Sequence, residues 1–375
     1  MATTTIRISR ILIVLTALLT ALNAFAYAGT NPIDPTRGYN LLQQALTRYE
    51  QIAQQGGWTK ISATKKFYQQ GESAAAIKDL KSRLHASGDY NSDDMSTLFT
   101  PGLTAAVKRA QKRFGFKESG VVDAALIKEL NVPVERRINQ ILVNMERLQT
   151  LPASTGGTRL VANIPEFKLH VYEGDRHVFD MNIVVGTEAN KTVIFNDEMK
   201  QVVFSPYWNV PPSIVRNEIL PKMRHDHNYL WRNRYVQVGT ENGLPKIRQM
   251  PGAGNALGKV KFLFPNSHNI YFHDTPAKSL FNLRRRAFSH GCIRLAEPAK
   301  LAEYLLRDAP GWTPDRIEQA MNAGEEQVVN LQTPVAVAIT YFTAWVDNEG
   351  MVHFREDIYG HDKEMAKRIA RSTQP

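Results

Sequence analysis

The hydrophobic positions change period once along the chain. Between residues 37 and 150 they recur at three- and four-residue steps; after 158 they alternate. The first pattern fits helices with one buried stripe, the second strands with one buried face. Tyr39, Leu42, Leu46, Tyr49 and Ile52 predict a helix that Gln55-Gly56-Gly57 ends, with a loop from Trp58 to about Gln70. Ile77, Leu80 and Leu84 predict a second helix, closed by Ser87-Gly88-Asp89. Leu103, Val107, Ala110 and Phe114 predict a third, closed by Gly115, and Leu126, Ile127 and Leu130 a fourth. The stretch around 91–101 is polar loop. Val134–Thr150 returns to helix, with Ile138, Ile141, Met145 and Leu148 on one side, and is expected to pack back on the first. Pro152 to Gly157 is a linker.

Arg159–Ile164, Phe167–Tyr172, Val178–Val185 and Gln201–Ser205 then read as strands, with a hairpin turn at Glu173-Gly174-Asp175. Pro206 to Pro212 marks an exit from the sheet. Ser213–Arg224 is helix-like, and the chain returns to strand only at Lys259–Phe264. An excursion of about 50 residues is long for a loop and suits a lid over a site; structural decoration is the alternative. Glu297–Arg307 and Pro314–Asn322 read as helices. Val335–Val346 and Met351–Arg355 read as a hairpin around Asp347-Asn348-Glu349-Gly350, and the tail from Tyr359 is basic, helical or loose. The fold class is multidomain α+β: a helical scaffold (37–72 and 132–150) carrying a three-helix module (73–131), then a mainly β domain (158–310) with a partly helical insertion at about 211–258, and a C-terminal extension (311–375).

Composition adds a compartment. Arg7 and Arg10 precede an apolar run, Ile11 to Leu22, and then Ala24-Phe25-Ala26, the pattern of an export signal over 1–26. Cleavage after Ala26 is favoured over Ala28, with an uncleaved anchor as the third alternative. The apolar run is short of the roughly 20 residues a membrane span needs, so no stable span is expected after cleavage. The expected location is the periplasm. Net charge is +10; removing Arg7 and Arg10, with no acid, leaves +8. That balance suits an anionic polymer, and the export signal argues against nucleic acid.

The chemistry gathers at Phe288-Ser289-His290-Gly291-Cys292-Ile293-Arg294-Leu295, which holds the single cysteine of the chain. A lone cysteine is by default a small buried hydrophobe, but polar Ser289, His290 and Arg294 are poor company for an inert core thiol. Upstream, Ile270-Tyr271-Phe272-His273-Asp274 is a short aromatic strand ending in a second histidine. A thiol on a tight turn beside a base on a strand is the arrangement that Cys–His catalysis needs. Cys292 is the expected nucleophile and His273 its base. Ser289, Asp274 or a backbone carbonyl would orient the imidazole, with Ser289 favoured. The N–H groups of Gly291 and Cys292, joined by Tyr271, would hold an oxyanion. His290 either donates to substrate or fixes the turn. Arg294 suits a carboxylate, or else pairs with Glu297. Trp208 either walls the site or packs in the core. No cofactor is required, and a metal held by His273, His290 and Cys292 is disfavoured by the tight His-x-Cys spacing.

Tyr271-Phe272-His273 followed, after fifteen residues, by Ser289-His290-Gly291-Cys292 resembles the signature of L,D-transpeptidases with a YkuD-type catalytic domain, here of the long subgroup. Many members carry Asn where this chain has Arg294. The three-helix module resembles a peptidoglycan-binding domain, with Ser119-Gly120 in place of the usual Asp-Gly pair, so that wall binding and a packing spacer both stand. The resemblance implies a mixed sandwich fold, a capping subdomain, peptidoglycan stem peptides as partners, a thioester intermediate, 3→3 cross-links and acylation by carbapenems. A cysteine hydrolase, an L,D-carboxypeptidase acting on the same stems, and a non-catalytic wall-binding protein are the rival readings.

Overall fold

A computed structural model describes residues 35–149, 151 and 156–372. The expected export segment (1–26) and most of the linker lie outside the described residues. Helix Pro35–Gln54 packs along helix Val134–Gln149, and Leu42, Ala45 and Tyr49 share one core with Ile141, Met145 and Leu148. Between them sit helices Ala75–Ala86, Pro101–Arg113 and Ala124–Leu130. Thr100 and Asp123 cap the last two, accepting from Leu103 N–H at 3.3 Å and Leu126 N–H at 2.8 Å. Short strands β1 (Phe67–Tyr68) and β2 (Val122–Asp123) pair across this module.

The second half is mainly β. Strands β3 (Thr158–Asn163), β4 (Lys168–Glu173), β5 (Arg176–Gly186) and β6 (Phe195–Phe204) lead to the insertion. There β7 (Trp208–Asn209), β8 (Tyr235–Glu241) and β9 (Leu244–Gln249) form a separate sheet, backed by a helical run over 212–225 that holds one π-turn. Val210, Val215, Ile219 and Ile247 give the insertion its own small core. The hairpin β8–β9 turns on Asn242-Gly243, both at positive φ, a dipeptide that favours such turns; the excursion before Lys259, read from sequence without a strand, therefore contains ordered sheet.

The main sheet resumes with β10 (Val260–Leu263), β11 (Phe272–His273), β12 (Ala287–Ser289), β13 (Ile293–Leu295) and β14 (Gln327–Thr340). Its order is β12-β5-β13-β11-β10-β6-β14-β3-β4, and β4 also pairs with β5, so the sheet closes on itself. Leu160, Leu169, Ile183, Val202, Phe262, Phe272 and Ile293 fill the enclosed core, with Leu301, Leu306 and Ile317 added by helices Pro298–Leu306 and Pro314–Asn322. Burying that alternating apolar face is the main force holding the domain.

The C-terminal boundary needs correcting. Residues 311–375 are not an extension: β14 lies between β6 and β3 in the main sheet. The expected strand 335–346 is also two elements. It breaks at Tyr341–Thr343, and β15 (Ala344–Val346) pairs instead with β16 (Val352–Phe354). That hairpin docks on the helical half. Gln140 Nε2 donates to the carbonyls of Thr343 (3.0 Å) and Arg355 (2.8 Å), and Arg113 Nε to that of Val352 (3.0 Å). The chain then returns to the β domain at Tyr359 before a last helix, His361–Ser372.

Candidate functional site

β11 and β13 run parallel, with Phe272 opposite Ile293 and His273 opposite Arg294. Strand alternation therefore sends Phe272 and Ile293, both fully buried, into the core, and puts Tyr271, His273, Cys292 and Arg294 on the other face. The Ile293 N–H donates to the Tyr271 carbonyl at 3.2 Å, extending the pairing back to Cys292. Two short strands thus gather four of the expected site residues.

His273 is 4% exposed. Its Nδ1 lies 2.5 Å from the Asp274 carbonyl oxygen. A carbonyl only accepts, so Nδ1 carries the proton and Nε2 keeps the lone pair. The ring is thus oriented by the backbone of Asp274, not by Ser289. The Asp274 carboxylate is engaged elsewhere, with Lys278 Nζ at 2.6 Å and the Lys259 N–H at 2.9 Å. Burial, and then the charge of Arg294, pull the imidazole pKa down to about 3. Burial pushes the Cys292 thiol up, opposed by the N–H and hydroxyl of Tyr271 and by Arg294. The pair therefore rests as neutral thiol and neutral imidazole. The partly exposed sulfur faces the Asn269 carbonyl at 3.5 Å and makes no hydrogen bond to the ring in this structure.

The turn around the cysteine is clamped by hydroxyls. Ser289 Oγ accepts from the Gly291 N–H at 3.1 Å and donates to the Cys292 carbonyl at 2.5 Å. Thr192 Oγ1 donates to the Gly291 carbonyl at 2.8 Å. Gly291 sits at φ 117°, where an L side chain would be strained. Three of the four backbone polar groups of Gly291 and Cys292 are thus engaged. The Gly291 N–H, expected as an oxyanion donor, is one of them; the Cys292 N–H has no acceptor among the described residues.

Arg294 is half-buried, and among the described residues no carboxylate pairs with it; its Nε is buried without a hydrogen-bond partner. Glu297, its expected alternative partner, pairs with Lys300. His290 is turned away from Cys292 to the insertion, where Nε2 meets Glu218 Oε1 at 2.7 Å. Trp208, at the edge of the insertion, interacts with the Tyr271 hydroxyl, which in turn reaches the sulfur. Glu218, Asn269 and Thr192 were not singled out from sequence: Glu218 and Thr192 come from distant segments, and Asn269, just before the Tyr271–His273 strand, acts through its backbone carbonyl, which carries no side-chain signal.

Two other features lie apart from this face. A cavity of about 930 Å³ opens between the helical module and β4–β5, lined by Lys112, Phe116, Arg284, Arg286 and Trp345. His170, His177 and Asp180 come close enough to share an ion, but Glu166 holds His170 at 2.9 Å and Lys168 holds Asp180 at 2.6 Å.

The architecture is that of a helical N-terminal region carrying a small module, followed by a mainly β domain with a Cys–His face. Residues 157–337 match the family model of the YkuD L,D-transpeptidase catalytic domain, and residues 73–130 that of a "Putative peptidoglycan binding domain". Residues 157–337 thus carry a YkuD L,D-transpeptidase catalytic domain, and residues 73–130 a peptidoglycan-binding domain. It is 31% identical over 253 residues to a Haemophilus influenzae protein described as "Putative L,D-transpeptidase", which covers 62% of this chain and 51% of that one. The chain thus spans about half the length of that curated relative. Solved structures overlay loosely. An L,D-transpeptidase of Stackebrandtia nassauensis gives TM-score 0.29 at 13% identity, over 74% of this chain and 97% of that one. One from Mycobacterium smegmatis gives 0.27 at 12%, over 49% and 59%.

Proposed function

We propose that the protein is an exported peptidoglycan L,D-transpeptidase that works through a Cys292 thioester and forms 3→3 cross-links. One observation carries this reading: the cysteine, a buried imidazole with Nε2 free, and a guanidinium without an acid partner share one sheet face beside an unengaged N–H. Arg294 receives a carboxylate of the donor stem, a charge-assisted contact its fork suits. The Cys292 side chain leaves the Asn269 carbonyl and turns to His273. The thiol proton passes to Nε2 as sulfur attacks the carbonyl of the third stem residue. The Cys292 N–H, with the Tyr271 hydroxyl, stabilises the oxyanion. The bond to the terminal D-alanine breaks and its amine takes the proton from His273. An amine of a neighbouring stem then attacks the thioester, releasing the thiol.

Because thiol and imidazole rest neutral, His273 acts as a general base during attack rather than as the partner of a standing thiolate. The insertion, tied to the nucleophile turn through Glu218 and His290, covers the site, and the 73–130 module holds wall polymer.

The test is muropeptide analysis of the purified protein with a tetrapeptide donor, beside Cys292→Ala. The expected product has the mass of two stems joined less one D-alanine, and it is lost in the variant. Free tripeptide as sole product would replace this reading with a hydrolase. Absence of a covalent adduct after carbapenem incubation, with no turnover, would leave a wall-binding protein.

A further inference from the structure

Thr192 lies about a hundred positions before the nucleophile, yet its side chain ends on the nucleophile turn. It is 1% exposed. Its Oγ1 accepts from the Gly186 N–H at 2.9 Å and donates to the Gly291 carbonyl at 2.8 Å. Its own N–H donates to the Tyr359 hydroxyl at 3.3 Å, and that hydroxyl donates to the Gly186 carbonyl at 2.6 Å. Lys191 Nζ, one residue earlier, holds the Tyr359 carbonyl at 2.8 Å. Gly186 cannot carry a side chain here, since a Cβ would stand 2.0 Å from the Asn190 carbonyl oxygen. The loop 187–192 is therefore folded tightly against the turn and pinned from behind by Tyr359.

The consequence follows from peptide planarity. The Gly291 carbonyl and the Cys292 N–H belong to one peptide unit, rigid and trans, so they point in opposite directions. A hydroxyl that fixes the carbonyl fixes the aim of the N–H. We propose that Thr192, backed by Tyr359, is a positioning residue that aims the Cys292 N–H at the oxyanion formed during acyl transfer. Ser289 fixes the neighbouring groups of the turn but does not touch the Gly291 carbonyl. This rests on Cys292 being the acylated nucleophile.

The test separates reactions with an oxyanion from one without. Acylation of Cys292 by a chromogenic β-lactam builds a tetrahedral oxyanion; alkylation by iodoacetamide displaces iodide at a saturated carbon and builds none. Both rates are measured on the full chain for wild type, Thr192→Val, Thr192→Ser and Tyr359→Phe. Losing one oxyanion donor typically costs about 100- to 1,000-fold, and a misaimed one costs less. Thr192→Val is expected to lower the acylation rate about 10- to 100-fold with alkylation within about twofold, and Thr192→Ser to restore it. Tyr359→Phe is expected to lower the ratio of acylation to alkylation severalfold, and it decides the matter if Thr192→Val does not fold. Equal falls in both rates, or an unchanged ratio in the folded variants, overturns the proposal. A wild-type chain that iodoacetamide alkylates and the β-lactam never acylates overturns the proposed function, and this inference with it. Wild-type acylation with unchanged variant ratios overturns this inference alone.

Discussion

Lowering the pH should strip stability from this protein before its carboxylates begin to titrate, and His273 should account for much of the loss. The imidazole is buried and sits beside Arg294, which holds its pKa at about 3 against an ordinary value of 6.5. Between those two values the unfolded chain binds a proton that the folded chain refuses. Stability therefore rises with pH across that window and is lost as pH falls through it. Each unit is about 1.4 kcal/mol, and pH 5 lies roughly 1.5 units below the unfolded value, so the loss from pH 7 to pH 5 is about 2 kcal/mol. His177 and His361 are also lowered, chiefly by burial, and add losses of the same sign. Urea unfolding of wild type and His273→Gln at both pH values, followed by tryptophan fluorescence, removes their share by difference. Wild type should lose about 2 kcal/mol more than the variant. The same protonation sets the acid limb of kcat/KM, which reports the free enzyme, so that limb should fall well below pH 6. Equal pH dependence in the two proteins, or an acid limb near 6.5, would refute the argument.

Arg294→Gln removes the cation meant for the donor carboxylate. A charge-assisted contact of about 1.5–3 kcal/mol translates to a rise of roughly 10- to 100-fold in donor KM, read by steady-state kinetics, and the acid limb should move to higher pH. Ser289→Ala releases the Gly291 N–H and the Cys292 carbonyl together; acylation followed by mass spectrometry should slow by about tenfold or more, with the pH profile unmoved because the ring is held by Asp274. Gly186→Ala forces the 187–192 loop off its contacts, and calorimetry should show a loss of about 3 kcal/mol or more.

The grouping of Tyr271, His273, Cys292 and Arg294 on one face was legible because these residues are local in sequence. His273 and Cys292 sit on two short adjacent strands whose alternation alone puts them on one face with Arg294. The supports of that site were not legible. Ser289 was expected to hold the imidazole, but a hydroxyl two residues from a tight glycine turn finds backbone partners nearer than any ring, and the Asp274 carbonyl was already in place. Thr192 and Tyr359 meet the turn only through tertiary packing, which no periodicity reports. The misplaced boundary at 310 has a similar cause: two helices intervene before β14, and nothing local says that a strand after them completes a sheet begun at residue 158. The β8–β9 hairpin, by contrast, has a local signal in Asn242-Gly243, set amid polar neighbours that give no alternating pattern.

The hairpin β15–β16 and Tyr359 together form a strap, one end fastened to the helical half and the other to the loop behind the nucleophile. In chain order the cysteine comes first and its fastening about seventy residues later. A chain emerging from its N-terminus therefore exposes the thiol while the peptide unit beside it is still loose. On the proposed reading, competence would arrive only once the later segment is in place, and a half-made molecule would carry its sulfur without the means to use it.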